Sequence, residues 1–269
     1  KKTLQVVVTD GKLRVGVKGK QNDANKNLLI FDNFTLSYLE EVEITTYYVR
    51  NVATGDFIRA GGHYEAQAIR DEWGMPLDFI KKGDVYAIDS KVSNGGTNQF
   101  LGTNGFLDSP ETDFTLEKVG DYYAIRTADG TYLATADGDD KYVNFDRKVQ
   151  SSDTHAQWEL LTRDQLIEEL KKSNASDSNP QDATFLIEGS NLNRHDLRNN
   201  DINWKGIDFS SNEYGGVESF DWGSSDNIAN SVIEKFNKTF DTYQIISGLP
   251  EGVYELTVQG FYRSGNVAT

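Results

Sequence analysis

The chain has 269 residues, a formal net charge of −15, no cysteine and an ordinary share of apolar residues. An acidic chain without a basic cluster repels phosphate backbones and anionic lipid, so nucleic acid is excluded as a partner. The absence of cysteine removes disulfide frameworks and thiolate zinc sites, and no apolar run is long enough to insert in a membrane as a helix.

Helix signals are scarce, while Gly, Asn, Asp and aromatic residues are plentiful, which predicts an all-β chain rich in turns. The opening KKTLQVVVTD is not a signal peptide; if the protein is exported, the signal is expected upstream of it. Residues 1–42 hold about three alternating segments: Leu4, Val6 and Val8; Leu13, Val15 and Val17; Phe34, Leu36 and Tyr38. Strands with one apolar face need a second layer to cover that face.

Residues 43–174 contain an internal repeat. YYVRNVATGDFIRA, VYAIDSKVSNGGTNQFLGTNG and YYAIRTADGTYLAT each open on an aromatic (Tyr48, Tyr86, Tyr123) and turn on glycine. Each closes on an aromatic-aliphatic pair: Phe57-Ile58, Phe100-Leu101 and Tyr132-Leu133. Each copy also ends alike, with Phe79, Phe114 and Trp158 ahead of a turn. Fixed-period similarity of this length marks a fold in which small units share one core. Three strand-rich units are too few to close a propeller, which needs about four or more blades.

Downstream, Thr162 and Gln165 form a capping box, and Leu166, Ile167 and Leu170 share a face. Acidic Asp164 and Glu168 come early, and basic Lys171 and Lys172 late. That pattern predicts one short helix packed on the flank of the repeats. Residues 175–182 read as a linker. Residues 183–269 begin a further β unit with ATFLIEG, SVIEKFN, FDTYQIISGL and GVYELTVQGFYR.

The three repeats, over roughly residues 47–162, resemble a β-trefoil of the ricin-B, fascin and MIR kind. Ricin-type lectins carry Gln-x-Trp near the end of each repeat. Here Gln157 adjoins Trp158 and the other copies have Asp-Phe, so no lectin residues are carried over. GLPEGVYELTVQGFYR resembles the middle of a galactose-binding-like jelly roll, and LLIFDNFTLSYL its closing strand. Residues 1–42 then stand for the C-terminal half of such a module and 183–269 for an N-terminal half. The halves belong to a tandem array, meet in one sandwich, or complete one another between molecules by strand or half-domain exchange.

The resemblance implies a structural calcium bridging the first and last strands of the module, with Asp32 and Glu188 as oxygen ligands. No other cofactor is required. The chain lacks HExxH, P-loop and strand–helix GxGxxG motifs, and its histidines (His63, His155, His195) are scattered, so no enzyme is expected. The binding candidates are loop aromatics set among Asn, Asp, Gly and Ser: Trp204, Tyr214, Trp222, Trp73 and Tyr64, with Arg263 as a donor. An aromatic face stacks on the C–H face of a sugar while amides and acids take its hydroxyls.

Together these features resemble the carbohydrate-associated multimodular proteins of gut-type Bacteroidetes. The expectation is a non-catalytic, secreted or cell-surface protein that binds a polysaccharide. The competing expectation is a structural spacer or protein-docking module without a sugar site.

Overall fold

The computed structural model describes residues 42–199, 203–209, 214–217, 231–235, 238–258 and 260, with isolated positions 13, 15 and 35–37. The predicted N-terminal strands thus lie largely outside the described residues; Leu13, Val15 and Leu36 are exposed. Among the described residues the chain is all-β with one short α-helix. No helix among the described residues is long and apolar enough to cross a membrane.

The strands are β1 (Ile44–Asn51), β2 (Phe57–Ala60), β3 (Ala68–Asp71), β4 (Leu77–Lys82), β5 (Val85–Asp89), β6 (Asp113–Val119), β7 (Tyr122–Arg126) and β8 (Trp158–Leu161). Every pairing is antiparallel, and the ladder β1–β4–β5–β6–β7–β8 returns to β1, so these strands close into a ring. Closure removes the exposed edges that an open antiparallel sheet would leave. Gly83 and Gly120, both at φ 63, lead the tight turns that join β4 to β5 and β6 to β7. A positive φ at the first turn position suits the twist of such hairpins and favours glycine.

The register exposes the repeat directly. Tyr47 faces Leu77, Tyr86 faces Phe114 and Tyr123 faces Trp158; two residues on, Val49 pairs with Leu160, Ile88 with Phe79 and Ile125 with Leu116. The first copy is therefore led by Tyr47, not by Tyr48 as the sequence pattern suggests, and Leu77 rather than Phe79 matches Phe114 and Trp158. Adjacent tyrosines hide this offset of one residue, because neighbouring side chains on a strand face opposite sides. Tyr47 packs edge-on against Phe79 with ring centroids 5.3 Å apart. Val49, Ile88, Ile125, Phe114, Trp158 and the predicted Ile58, Leu101 and Leu133 are buried in one core.

One end of the ring is closed by hairpin-like segments. The β2–β3 pair is one; the bridges Phe100↔Ser109 and Ala134↔Asn144 mark the others. They lock together where Ala68 N–H donates to Gly105 O (2.9 Å), Leu107 N–H to Ala66 O (2.9 Å) and Val143 N–H to Ala68 O (3.0 Å).

Helix α1 (Arg163–Lys172) follows β8 with the predicted capping box formed in both directions between Thr162 and Gln165. Its buried Leu166 joins Tyr48 and Leu161 in a second, smaller core, against which Phe57 and Phe185 pack. The Tyr48 hydroxyl donates to Phe185 O at 3.3 Å. Burial, reinforced by the charge of Glu188, pushes the Tyr48 hydroxyl up to about 12 from 10.0. A folded value above the unfolded one means the neutral phenol stabilises the fold fully below pH 10 and loses that contribution as pH rises toward 12. Alkaline unfolding is thus expected to steepen across pH 10–12 by on the order of 2–3 kcal/mol, and Tyr48→Phe should flatten it. Equal pH profiles for the two proteins, followed by circular dichroism, would remove Tyr48 from that role.

Residues 175–182 are exposed along their length. ATFLIEG, expected as a strand, instead forms a 3-10 turn at Thr184–Leu186. Asp182 Oδ1 accepts from the N–H (3.2 Å) and hydroxyl (2.6 Å) of Thr184, a local capping arrangement that competes with extended pairing. Residues 183–199 then run across the ring. Val92 bridges Asp196, Ser93 N–H donates to His195 O (2.8 Å), and Leu197 N–H to Lys91 O (2.8 Å).

Beyond this strap, β9 (Tyr214–Val217) pairs with β10 (Ser231–Ile233), the latter in the predicted SVIEKFN. Tyr243 bridges Lys205, and Arg163 holds Ser247 O at 2.9 Å. Residues 244–258 join no strand among the described residues, and Ile245 (83 %) and Val253 (98 %) are exposed.

Candidate functional site

The predicted site residues separate into distinct places. Trp204 is half-buried and its indole N–H donates to Gly189 O at 3.1 Å, so it braces the strap. Tyr214 lies in β9, opposite Ile233. Trp222, Arg263 and Asp32 fall outside the described residues. Glu188 is half-buried, and the Gln244 side chain takes both its backbone groups: Glu188 N–H to Gln244 Oε1 at 3.0 Å and Gln244 Nε2 to Glu188 O at 2.8 Å. No group of three or more His, Asp or Glu side chains able to hold a metal occurs among the described residues.

Trp73 donates its indole N–H to Asp71 Oδ1 (3.0 Å), with the Arg59 guanidinium carbon 6.0 Å from its ring centroid. Arg59 is itself buried, donating to Asp71 Oδ2 (2.7 Å) and Ala60 O (2.9 Å); burial pulls its pKa down against the attraction of Asp71. Trp73, Arg59, Asn191, Asn193 and Asp196 line a cleft where strap and ring meet, with a volume of ≈ 20 Å³. Since a water needs roughly 10–15 Å³ on this measure, the cleft holds one or two waters and no sugar ring.

Tyr64 has different surroundings. It is 61 % exposed, and it sits in the turn between β2 and β3 with φ 55; Glu65 follows at φ 57. Left-handed backbone costs a residue with a Cβ about 1–2 kcal/mol, and such strain is concentrated at functional sites. Its ring belongs to an arc drawn from separate turns. Tyr142 stacks on His63 at 5.6 Å and 7°, His63 lies 6.5 Å from Tyr64 at 46°, and Tyr64 lies 6.5 Å from Phe106 at 38°. Gly62 makes room for the arc, because a Cβ there would come within 2.8 Å of the Tyr142 ring.

Behind the arc the strap supplies polar support. Asn193 Nδ2 donates to Glu65 O at 2.8 Å, and Arg194 Nε lies 3.5 Å from the buried Glu65 carboxylate and 3.3 Å from His195 Nε2. Desolvation lowers the His195 pKa, only partly opposed by Glu65. Phe106 and Tyr142 are not among the sequence candidates, and His63 enters there only as one of three scattered histidines. The available signal was an aromatic recurring in the turn of each copy: GGHYEA, TNGFLD and DKYVNF.

Among the described residues, the acids displaced from their ordinary range are all shifted downward. Asp129 is lowered by the Thr127 hydroxyl, Asp153 by the His155 N–H and Glu168 by the Lys171 ammonium. At Asp140 burial pushes upward, but the hydrogen bonds from Arg147 and the Tyr142 N–H and the charges of Arg147 and Arg70 together outweigh it, and the net shift is down. A glycosidase's general acid needs a shift in the opposite direction. Neither a scan against protein-family models nor a comparison with curated proteins returns a match for this chain.

Proposed function

We propose that the chain is a non-catalytic, glycan-binding part of a secreted or cell-surface multimodular protein, with residues 43–174 forming a β-trefoil. The closed strand ring, the register repeated through Tyr47, Tyr86 and Tyr123, and the interlocked hairpins at one end support the trefoil reading. The observation that carries the glycan reading is the ring of Tyr64, held out to solvent on left-handed backbone within an arc of aromatics. Buried core aromatics would not need that backbone conformation, and an exposed ring flanked by polar loops suits the apolar face of a sugar.

A protein-docking role is the second reading, and the exposed Ile245, Val253, Leu256 and Val258 favour it. Native affinity electrophoresis separates the two. In gels cast with xyloglucan, galactomannan, glucomannan, arabinogalactan or starch, at least one polysaccharide is expected to retard the chain relative to bovine serum albumin. Unchanged mobility in every gel would reject the glycan reading and leave the docking one.

A further inference from the structure

From the geometry of the aromatic arc we infer a single binding site within the three repeats, at Tyr64, Phe106 and His63, that takes consecutive rings of a soluble, neutral, single-chain glycan. This rests on the glycan reading above and adds the place, the number of sites and the class of polysaccharide.

The place follows from exposure and from how the rings are held. Tyr64 is presented on two successive left-handed residues, while its neighbours Phe106 and His63 are half-buried and come from turns anchored to the core. The platform is thus pre-formed, which lowers the ordering cost of binding. Trp73 and Trp204 have their indole N–H groups committed to Asp71 and Gly189, and the water-sized cleft beside Trp73 excludes a sugar.

The number follows from the repeat. The corresponding turns of the second and third copies reach positive φ on glycine, at Gly105 and Gly138. Only the first copy has residues with a Cβ there, Tyr64 and Glu65, so only it projects an aromatic ring on that backbone. Three-fold pseudo-symmetry of the fold does not extend to the site.

The class follows from ring angles and charge. Successive rings from His63 through Tyr64 to Phe106 are inclined by 46° and 38°, a curved path that one glycan chain can follow. A flat crystalline face would need coplanar rings. The nearby charges are opposite and offset one another, Glu65 against Arg194, on a chain of net charge −15, which disfavours sulfated or uronate-rich chains. One largely exposed ring also falls far short of the roughly 800 Å² per partner of a stable protein interface.

The test uses the full chain, the same soluble neutral polysaccharides in affinity gels, and sedimentation with microcrystalline cellulose and chitin. Tyr64→Asn, in which asparagine tolerates left-handed backbone, and Phe106→Ser are expected to weaken retardation roughly tenfold or more. Trp73→Phe should bind as the parent chain, and calorimetry with an oligosaccharide cut from the retarding polymer should give one site. Tyr64→Asn should melt no lower than the parent chain, showing that lost retardation is lost binding. Retardation that survives Tyr64→Asn and Phe106→Ser would overturn the inference while leaving glycan binding intact, as would retention on the crystalline solids alone. No retardation of the parent chain and no sedimentation would overturn both.

Discussion

Trp158→Ala is expected to lower the unfolding free energy by about 3–5 kcal/mol, the range for emptying a large aromatic site in a packed core. Trp158 is 0 % exposed, and it stands where the strand ring closes, paired with Tyr123 on β7 and with Asn51 on β1. Its indole N–H donates to Leu133 O at 2.9 Å in the interior, so truncation also strands a buried carbonyl, which costs about 1–3 kcal/mol where nothing replaces the donor. Trp158→Phe separates the contributions, since it keeps most of the ring and loses only the donor. Urea denaturation should place Trp158→Phe between the parent chain and Trp158→Ala. A Trp158→Ala midpoint close to that of the parent chain would mean the ring does not depend on this residue. It would also reopen a ligand role for the Gln157-Trp158 pair, which the observed burial argues against.

Arg198→Met is expected to be nearly as damaging, at about 3–5 kcal/mol, because one side chain ties the strap to the ring. Its guanidinium donates to Pro76 O (2.8 Å), Ser90 O (2.8 Å), and both oxygens of buried Asp196 (2.9 and 3.2 Å). Asp196 and Asp78 hold the Arg198 pKa above its ordinary value although burial pulls it down. Methionine fills much of the volume but leaves Asp196 charged, buried and without its guanidinium. Arg198→Met/Asp196→Leu should recover part of the loss, because removing both charges avoids that uncompensated ion. Limited proteolysis gives the local readout: Arg198→Met should be cut first within residues 183–209. If that variant keeps the parent's stability and cleavage pattern, the strap is only laid on the surface.

The strap also shows where sequence reading stopped. Asparagine by itself favours turns and loops, yet Asn193, Asn199 and Asn203 are buried and Asn191 donates to Ala60 O at 3.3 Å. Asparagine is equally at home in a solvated turn and in a buried network that satisfies backbone groups. Only the partner across the ring, Glu65 O for Asn193, decides which. Gly189 carries the same ambiguity: φ 62 marks a turn, but the closeness of the Asn199 side chain, which a Cβ would overlap, depends on packing.

Local chemistry was legible because it acts over a few residues. The capping box of Thr162 and Gln165, the glycine turns at Gly83 and Gly120, and the alternation of β5 and β7 are each set by neighbours within a turn or a strand. So was the all-β class with one helix. The one-residue offset between Tyr47 and Tyr48 was not, since either tyrosine satisfies the pattern and only pairing with Leu77 and Leu161 tells the core face from the helix face. The aromatic arc lies further from the sequence. His63, Phe106 and Tyr142 come from turns of different copies and meet only because the hairpins interlock through Ala66, Ala68 and Gly105. Ring closure and that meeting depend on contacts between distant residues, whose geometry is set by packing of the shared core rather than by local preference.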